Sequence, residues 1–371
     1  MRIETIVLAG ATPGTQRTVT AFRFGRAGAR PKCYLQTGLH ADEIPGLLVA
    51  HHLRSDLMKL EAAGRIVGEI VLVPAANPIG LGQQVSGSHI GRFCLTDGQN
   101  FNRGFPQLVD GAERRLRGSL SRDRTSNVHA VREALLAELR SIDAVGEHQN
   151  LKHALLRQAV DADVVLDLHC DTEAVVHVYT GTALAEQGLV LARLLGARAL
   201  LTAEISGDDP FDEACSRPWW ELQRRLHDHP IGRGCFAATV ELRGSVDVDH
   251  AMAGADARAL VDFMVLCGAI IGDRPTLPAA RCEATPLSGS EPLIASCSGI
   301  VVFHRAVGDV VEQGDALADV IDPVSGTVAT IVAPTSGVFY ARASTRWAHA
   351  GLRLGKIAGR RATRAGNLLS P

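Results

Sequence analysis

The chain has 371 residues, 46% of them hydrophobic and 21% charged, with a formal net charge of −2. A chain of this length and apolar content supplies a sizeable core and suggests one large domain joined to a smaller one. Its near-neutral charge, with no long basic run, excludes electrostatic capture of nucleic acid, and no apolar stretch approaches the roughly 20 residues of a membrane span. The N-terminus has no charged segment leading into an apolar one, so no secretory signal is read and a cytoplasmic protein is expected. The eight cysteines form no CxxC pair. Several sit inside apolar runs, as small buried hydrophobes do in a reducing compartment.

Residues 1–30 are polar and β-leaning and end in a turn-like GRAGARP. CYLQTGL at 33–39 reads as a short buried strand stopped by glycine. The next segment puts Leu47, Leu48, His51, His52, Met58 and Leu60 at roughly helical spacing, and Gly64 suits its C-cap. EIVLV follows as a strand closed by a Pro/Asn loop. Residues 80–110 read as loop, and 111–130, charged and polar, as a surface insertion. Helical patterns resume at 129–143 and about 150–161. ADVVLDLH at 162–169 is a near-continuous apolar run, as expected of a strand buried on both faces. Helices are expected at 184–196, 217–228 and near 250–271, with a buried strand, CFAATVEL, at 235–242. Strands alternating with helices argue an α/β fold with a mostly parallel sheet. In such sheets, sites gather beyond the carboxyl ends of the strands.

After about residue 275 the composition changes. Residues 273–292, rich in Pro, Ser and Ala, read as a linker or link strand, which divides the chain into a domain of residues 1–280 and a β-rich domain of 281–371. Two segments, 298–317 and 336–354, look like copies of one unit, each opening Ser-Gly and running through β-formers. Together they resemble the barrel-sandwich hybrid fold of biotinyl and lipoyl domains. The segment between them, 319–335, contains no lysine. A swinging-arm carrier is therefore not expected, and a β cap or an oligomer contact is.

Four strings carry chemistry: GLHADE at 38–43, NFNRGFP at 100–106, DLHCD at 167–171 and TVELRG at 239–244. His40, Glu43 and His169 are two imidazoles and a carboxylate, the donor set of a catalytic zinc that keeps one position open for water. His40 and Glu43 lie three apart at the mouth of a helix, and His169 and Glu241 close buried strands. Asp167 or Asp171 would hold the second nitrogen of a ligating histidine. Glu241, at the end of an apolar strand, costs several kcal/mol unless paired or exposed in a cleft. It is either salt-bridged to Arg243 or the general base that takes a proton from water and returns it to a leaving amine. Asn102 and Arg103 form a clamp for a substrate carboxylate, the guanidinium binding it as a fork. Arg92, in HIGRFC, would stabilise the oxyanion.

These strings, in this order, resemble the succinylglutamate desuccinylase/aspartoacylase family, a branch of the zinc carboxypeptidase superfamily, over about residues 31–245. The C-terminal β domain extends the resemblance to nearly the whole chain. It implies a carboxypeptidase-like three-layer α/β/α domain with a mixed, mostly parallel sheet, and one zinc ion per chain bound by His40, Glu43 and His169. It also implies Glu241 as base, Asn102 and Arg103 on a substrate carboxylate, and Arg92, matched only approximately, at the transition state. The implied reaction is hydrolysis of the amide of a small N-acyl amino acid. The segment SGDDPFDEACSRPWW at 206–220 is similar to a branch resembling deacetylases of N-acetylated diamino acids. On that reading Asp208, Asp209, Asp212 or Glu213 receives a cationic group; otherwise they form an acidic surface loop. Trp219 and Trp220 line the pocket or belong to the core. The expected partner is a small carboxylate-bearing molecule, with neither nucleic acid nor membrane, and a homo-oligomer remains open. The competing readings are a metallo-carboxypeptidase acting on a short peptide and a non-catalytic binding protein. The retention of all three ligands and the base argues against the latter.

Overall fold

The computed structural model describes residues 1–369. Its larger part is one nine-stranded mixed sheet. The strands are β1 (Arg2–Val7), β2 (Thr18–Gly25), β3 (Lys32–Thr37), β4 (Glu69–Val73), β5 (Val164–Asp171), β6 (His177–Gly181), β7 (Ala199–Ala203), β8 (Phe236–Gly244) and β9 (Ala284–Pro286), in the order β1-β2-β4-β3-β5-β8-β6-β7-β9. The centre, β4-β3-β5-β8, is parallel throughout. β1, β2 and β4 pair antiparallel on one side, and β6 runs antiparallel to β8 on the other.

The sheet is covered on both faces, which explains the unbroken apolar run of β5. Its Val165 faces a core shared with Leu135, Leu155 and Phe211. Val164, Leu166 and Leu168 face the opposite core, with Leu53, Leu191 and Phe263. The helices Arg124–Ser141, Gly146–Ala159 and Phe211–Arg225 lie on the first side, and Pro45–Ala62, Ala185–Leu195 and His250–Leu266 on the second. This is the expected three-layer α/β/α arrangement. No helix among the described residues is long and apolar enough to cross a membrane.

Residues 111–130 are not a surface insertion. They include the end of the helix Val109–Leu116 and the start of Arg124–Ser141, joined by a short turn, and Ala112 and Leu116 are buried in the first core. Their charged faces, with Arg114 and Arg115 exposed, conceal that stripe from a reading by composition. The helix expected at 217–228 begins earlier, at Phe211, and ends at Arg225. The strands β6 and β7 fall in short segments that gave no pattern.

The C-terminal region forms two small antiparallel sheets around Leu317, Val320, Phe339 and Ile357. The two Ser-Gly units begin the strands Gly299–Phe303 and Gly337–Arg342, one in each sheet. Each unit's short strand pairs with the other unit's first strand, Trp347–Ala348 with Gly299–Phe303 and Val310–Val311 with Gly337–Arg342, so the halves interlock. The region read as a linker supplies β9, which pairs parallel with β7. Glu173–Ala174 in turn pairs with Gly337–Arg342. Ala199 and Leu201 share a buried cluster with Tyr340 and Ala358, so the cap is packed onto the large sheet.

Candidate active site

Three of the four strings meet at the carboxyl ends of neighbouring parallel strands. His40 and Glu43 stand on the turn between β3 and the helix Pro45–Ala62, where Pro45 occupies the first helical turn, a position that needs no amide donor. His169 lies near the end of β5, and Glu241 is its register partner on β8, so both side chains rise from the same face. The chain then shifts register between Glu241 and Gly244. Arg243 there has φ 64° and turns to Asp256 on the helix His250–Leu266 rather than to Glu241.

The Glu43 carboxylate is the hub. His40 Nδ1 lies 2.8 Å from Oε1 and His169 Nδ1 2.8 Å from Oε2. Arg92 donates to Oε1 at 2.7 Å, and the Cys170 amide donates to Oε2 at 3.1 Å. The imidazoles stand edge to face with centroids 4.8 Å apart. Their outer nitrogens have partners of their own. His40 Nε2 is 2.8 Å from Asn100 Oδ1, which also accepts the Asn102 amide. His169 Nε2 is 2.9 Å from Asp167 Oδ2 and 3.3 Å from Asn102 Nδ2. Of the two aspartates considered for this orienting role, Asp167 is in place and Asp171 is not. Asp171 accepts from Lys356 at 2.6 Å.

These contacts test whether the residues suit a metal. Asn100 Oδ1 is an acceptor, because it already takes an amide hydrogen, so the His40 proton is assigned to Nε2. Burial and then Arg92 push the His40 pKa down to about 4, so its ring is neutral. Its Nδ1 lone pair therefore faces the Glu43 oxygen, two acceptors with no hydrogen between them, and a shared cation relieves that repulsion. Burial works against charge on His169, yet Asp167 and Glu43 hold its pKa well above the ordinary value, so this pair of carboxylates also calls for a positive charge. Burial would raise the Glu43 pKa, but His40, His169 and Arg92 hold it well below its usual range. Ligand atoms of His40, Glu43 and His169 all lie within 4.8 Å of one another. An N₂O donor set with oriented imidazoles fits zinc.

Residues 29–145 match the family model of the succinylglutamate desuccinylase/aspartoacylase catalytic domain. This stretch is similar to that family's catalytic domain. Solved structures agree on the fold along the whole chain. A succinylglutamate desuccinylase/aspartoacylase family protein from Shewanella amazonensis SB2B is 24% identical, covers 96% of this chain and 98% of its own, and superposes with a TM-score of 0.85. One from Shewanella frigidimarina NCIMB 400 is 23% identical, with 96% and 97% covered and a TM-score of 0.84. The product-bound ectoine utilization protein EutE (DoeB) from Ruegeria pomeroyi is 16% identical, with 96% and 94% covered and a TM-score of 0.66. No curated protein matches in sequence.

The centre opens into a cavity of about 450 Å³ walled by His40, His169, Glu241, Arg92 and Arg103. Glu241 Oε2 is buried with no hydrogen-bond partner. Burial first, then Glu43 and Asp171, raise its pKa to about 8 against the pull of His169 and Lys356. The loop bearing Arg92 is seated by Gly91, whose carbonyl accepts the Ala41 amide at 3.0 Å. A Cβ on Gly91 would lie 2.0 Å from the Asp42 nitrogen, so only glycine allows the approach.

Both residues of the expected carboxylate clamp line the cavity. Asn102 Oδ1 accepts the Phe211 amide at 2.9 Å, which fastens this loop to the start of the helix Phe211–Arg225. Arg103 also lines the cavity and donates to the Asn102 carbonyl at 2.7 Å. The acidic segment divides. Asp208 accepts from Asn367 and Asp209 from Arg217, and neither lines the cavity. Asp212 and Glu213 are buried in the cavity wall, not displayed on a surface loop. Burial, and then Glu213, raise the Asp212 pKa to about 7. Trp219 lies in the core with the Arg132 guanidinium over its ring, and Trp220 packs on Gly181; neither lines this cavity.

The residues of the far wall were not picked out from the sequence. Tyr340 and Lys356, from the C-terminal sheets, line the same cavity. Tyr340 bonds Ser290 Oγ at 2.8 Å, and Lys356 is paired to Asp171 across the domain boundary. Their spacing from the other strings carries no local signal.

Proposed function

We propose that the protein is a zinc hydrolase that cleaves the amide bond of a small N-acyl amino acid. The observation that supports this most is the convergence of both Nδ1 atoms on Glu43 beside the unpartnered, buried Glu241 Oε2. One zinc ion, held by His40, Glu43 and His169, would lower the pKa of water and polarise a carbonyl oxygen. Glu241 Oε2 takes a proton from the attacking water and delivers it to the amine nitrogen as the C–N bond breaks. Arg92, 2.7 Å from Glu43 at the cavity wall, donates to the carbonyl oxygen as negative charge gathers there. Arg103 receives the substrate carboxylate, and Asn102 holds the loop that presents it.

Asp212 and Glu213 add a preference for a cationic group. Glu213 Oε2 is buried without a hydrogen-bond partner, a condition that an incoming ammonium would relieve. Asp212→Asn and Glu213→Gln are expected to raise KM at least about tenfold for N-acyl diamino acids over their neutral analogues. Unchanged preference in both variants would dismiss this subsite.

The cavity, of about 450 Å³ and with Tyr340 and Lys356 on its far side, is of a size for a small amide rather than an extended peptide. Zinc-loaded protein should release amine from N-acetyl, N-succinyl or N-formyl amino acids and leave dipeptides intact. Hydrolysis of dipeptides alone would favour the carboxypeptidase reading instead.

A further inference from the structure

Among the described residues a second group of metal-type donors has ligand atoms within 4.8 Å of one another: Cys94, Asp97 and His148. None of them belongs to the catalytic set. They sit where the loop bearing Arg92, Asn100, Asn102 and Arg103 meets the helix Gly146–Ala159.

The loop is held by its own hydrogen bonds. The Cys94 amide donates to Gln99 O at 2.8 Å, and the Gly98 amide donates to Cys94 O at 2.7 Å. Asp97 Oδ1 closes the same turn by accepting the Gln99 amide at 2.9 Å. That leaves Oδ2 to face His148 Nδ1 at 3.0 Å. Phe101 fixes the imidazole edge-on, with centroids 4.8 Å apart. Cys94 and His148 are 3% and 5% exposed, while Asp97 reaches solvent. His148 Nε2 is buried with no hydrogen-bond partner, so the ring is oriented by Asp97 and Phe101 alone.

We propose that Cys94, Asp97 and His148 bind a second divalent cation of the zinc class, with water completing the shell on the exposed Asp97 side. Thiolate, imidazole and carboxylate together select zinc or cobalt over magnesium or calcium. Binding releases the Cys94 thiol proton to solvent, so affinity rises with pH. The ion would cross-link the arginine-bearing loop to the helix. Lys152, one turn along that helix, opposes it. Its amine is buried without a hydrogen-bond partner, and burial draws its pKa down to about 8.

The catalytic ligands include no sulfur, so thiolate-to-cobalt charge-transfer absorption in the near ultraviolet distinguishes the two sites. Full-length protein, stripped by chelator and titrated with Co²⁺, should take two ions per chain and develop that band with one of them. Cys94→Ser should remove the band and one ion. Asp97→Asn, an exposed change that spares folding, should weaken the same ion about tenfold or more. Glu43→Gln should weaken the other ion and leave the band, and Lys152→Met should tighten the sulfur-bound one. A single ion with no thiolate band in the unaltered protein, or a band that survives Cys94→Ser, would overturn the assignment.

Discussion

At His40 and Glu43 a neutral imidazole lone pair and a carboxylate oxygen meet at 2.8 Å with no hydrogen to share, because Asn100 claims the His40 proton on the far side of the ring. Asn100 therefore matters as much as a ligand. Asn100→Ala should weaken metal binding roughly 10–100-fold, measured by competition with a chelator; unchanged affinity would show that the tautomer is set elsewhere. The string NFNR was legible as substrate chemistry, yet its first asparagine orients a histidine and its second fastens a helix. A motif gives residue types, and only the fold shows which hydrogen bonds they spend. Asp212 offers a second test. An acid whose folded pKa is raised costs no stability below its unfolded pKa, and the full cost is reached above the folded one. Moving Asp212 from 3.8 to about 7 amounts to a penalty on the order of 4 kcal/mol, present above pH 7 and absent below about pH 4. Asp212→Asn should thus raise Tm near pH 8 and leave it unchanged near pH 4. A uniform shift at both would mean that the carboxyl is not held neutral by burial.

Among the elements, the strands that carry ligands were the easiest to read. β3, β5 and β8 are apolar runs that end in polar residues, and burial on both faces leaves them no alternative pattern. β6, HVYTG, and β7, ALLTA, were missed because five residues give too little periodicity to separate strand from helix. The helix Val109–Leu116 was missed because its exposed face is strongly charged and only a narrow stripe is buried. Loop seating was invisible as well. Gly91 looks like an ordinary loop glycine, and its need comes entirely from the Asp42 backbone pressed against it. Gly91→Ala should displace the Arg92 loop from the metal turn, lowering turnover at least tenfold and stability by about 1–3 kcal/mol. Retained activity and Tm would show that the loop can retreat without consequence.

In the whole molecule the C-terminal region is a wall of the site as well as a cap. Glu173 accepts from Arg342 and Arg346, Asp171 accepts from Lys356, and a buried cluster runs through Leu201, Tyr340 and Ala341. The Ser-Gly repeats predicted the β cap, but pairing residues 171 and 356 requires the folded chain, since the partners are 185 positions apart. Truncation before β9 should therefore give aggregated protein, because it uncovers β7 and the buried cluster together. A soluble, monodisperse truncated protein by size-exclusion chromatography would refute that coupling. The central claim, a metal site served by a carboxylate base, is tested most directly by Glu241→Gln in the full-length, zinc-loaded protein, with turnover and bound zinc measured on the same sample. Zinc should stay at the level of the unaltered protein while kcat falls about 10²–10⁴-fold. Normal turnover with zinc in place would contradict the assignment of Glu241 as the base.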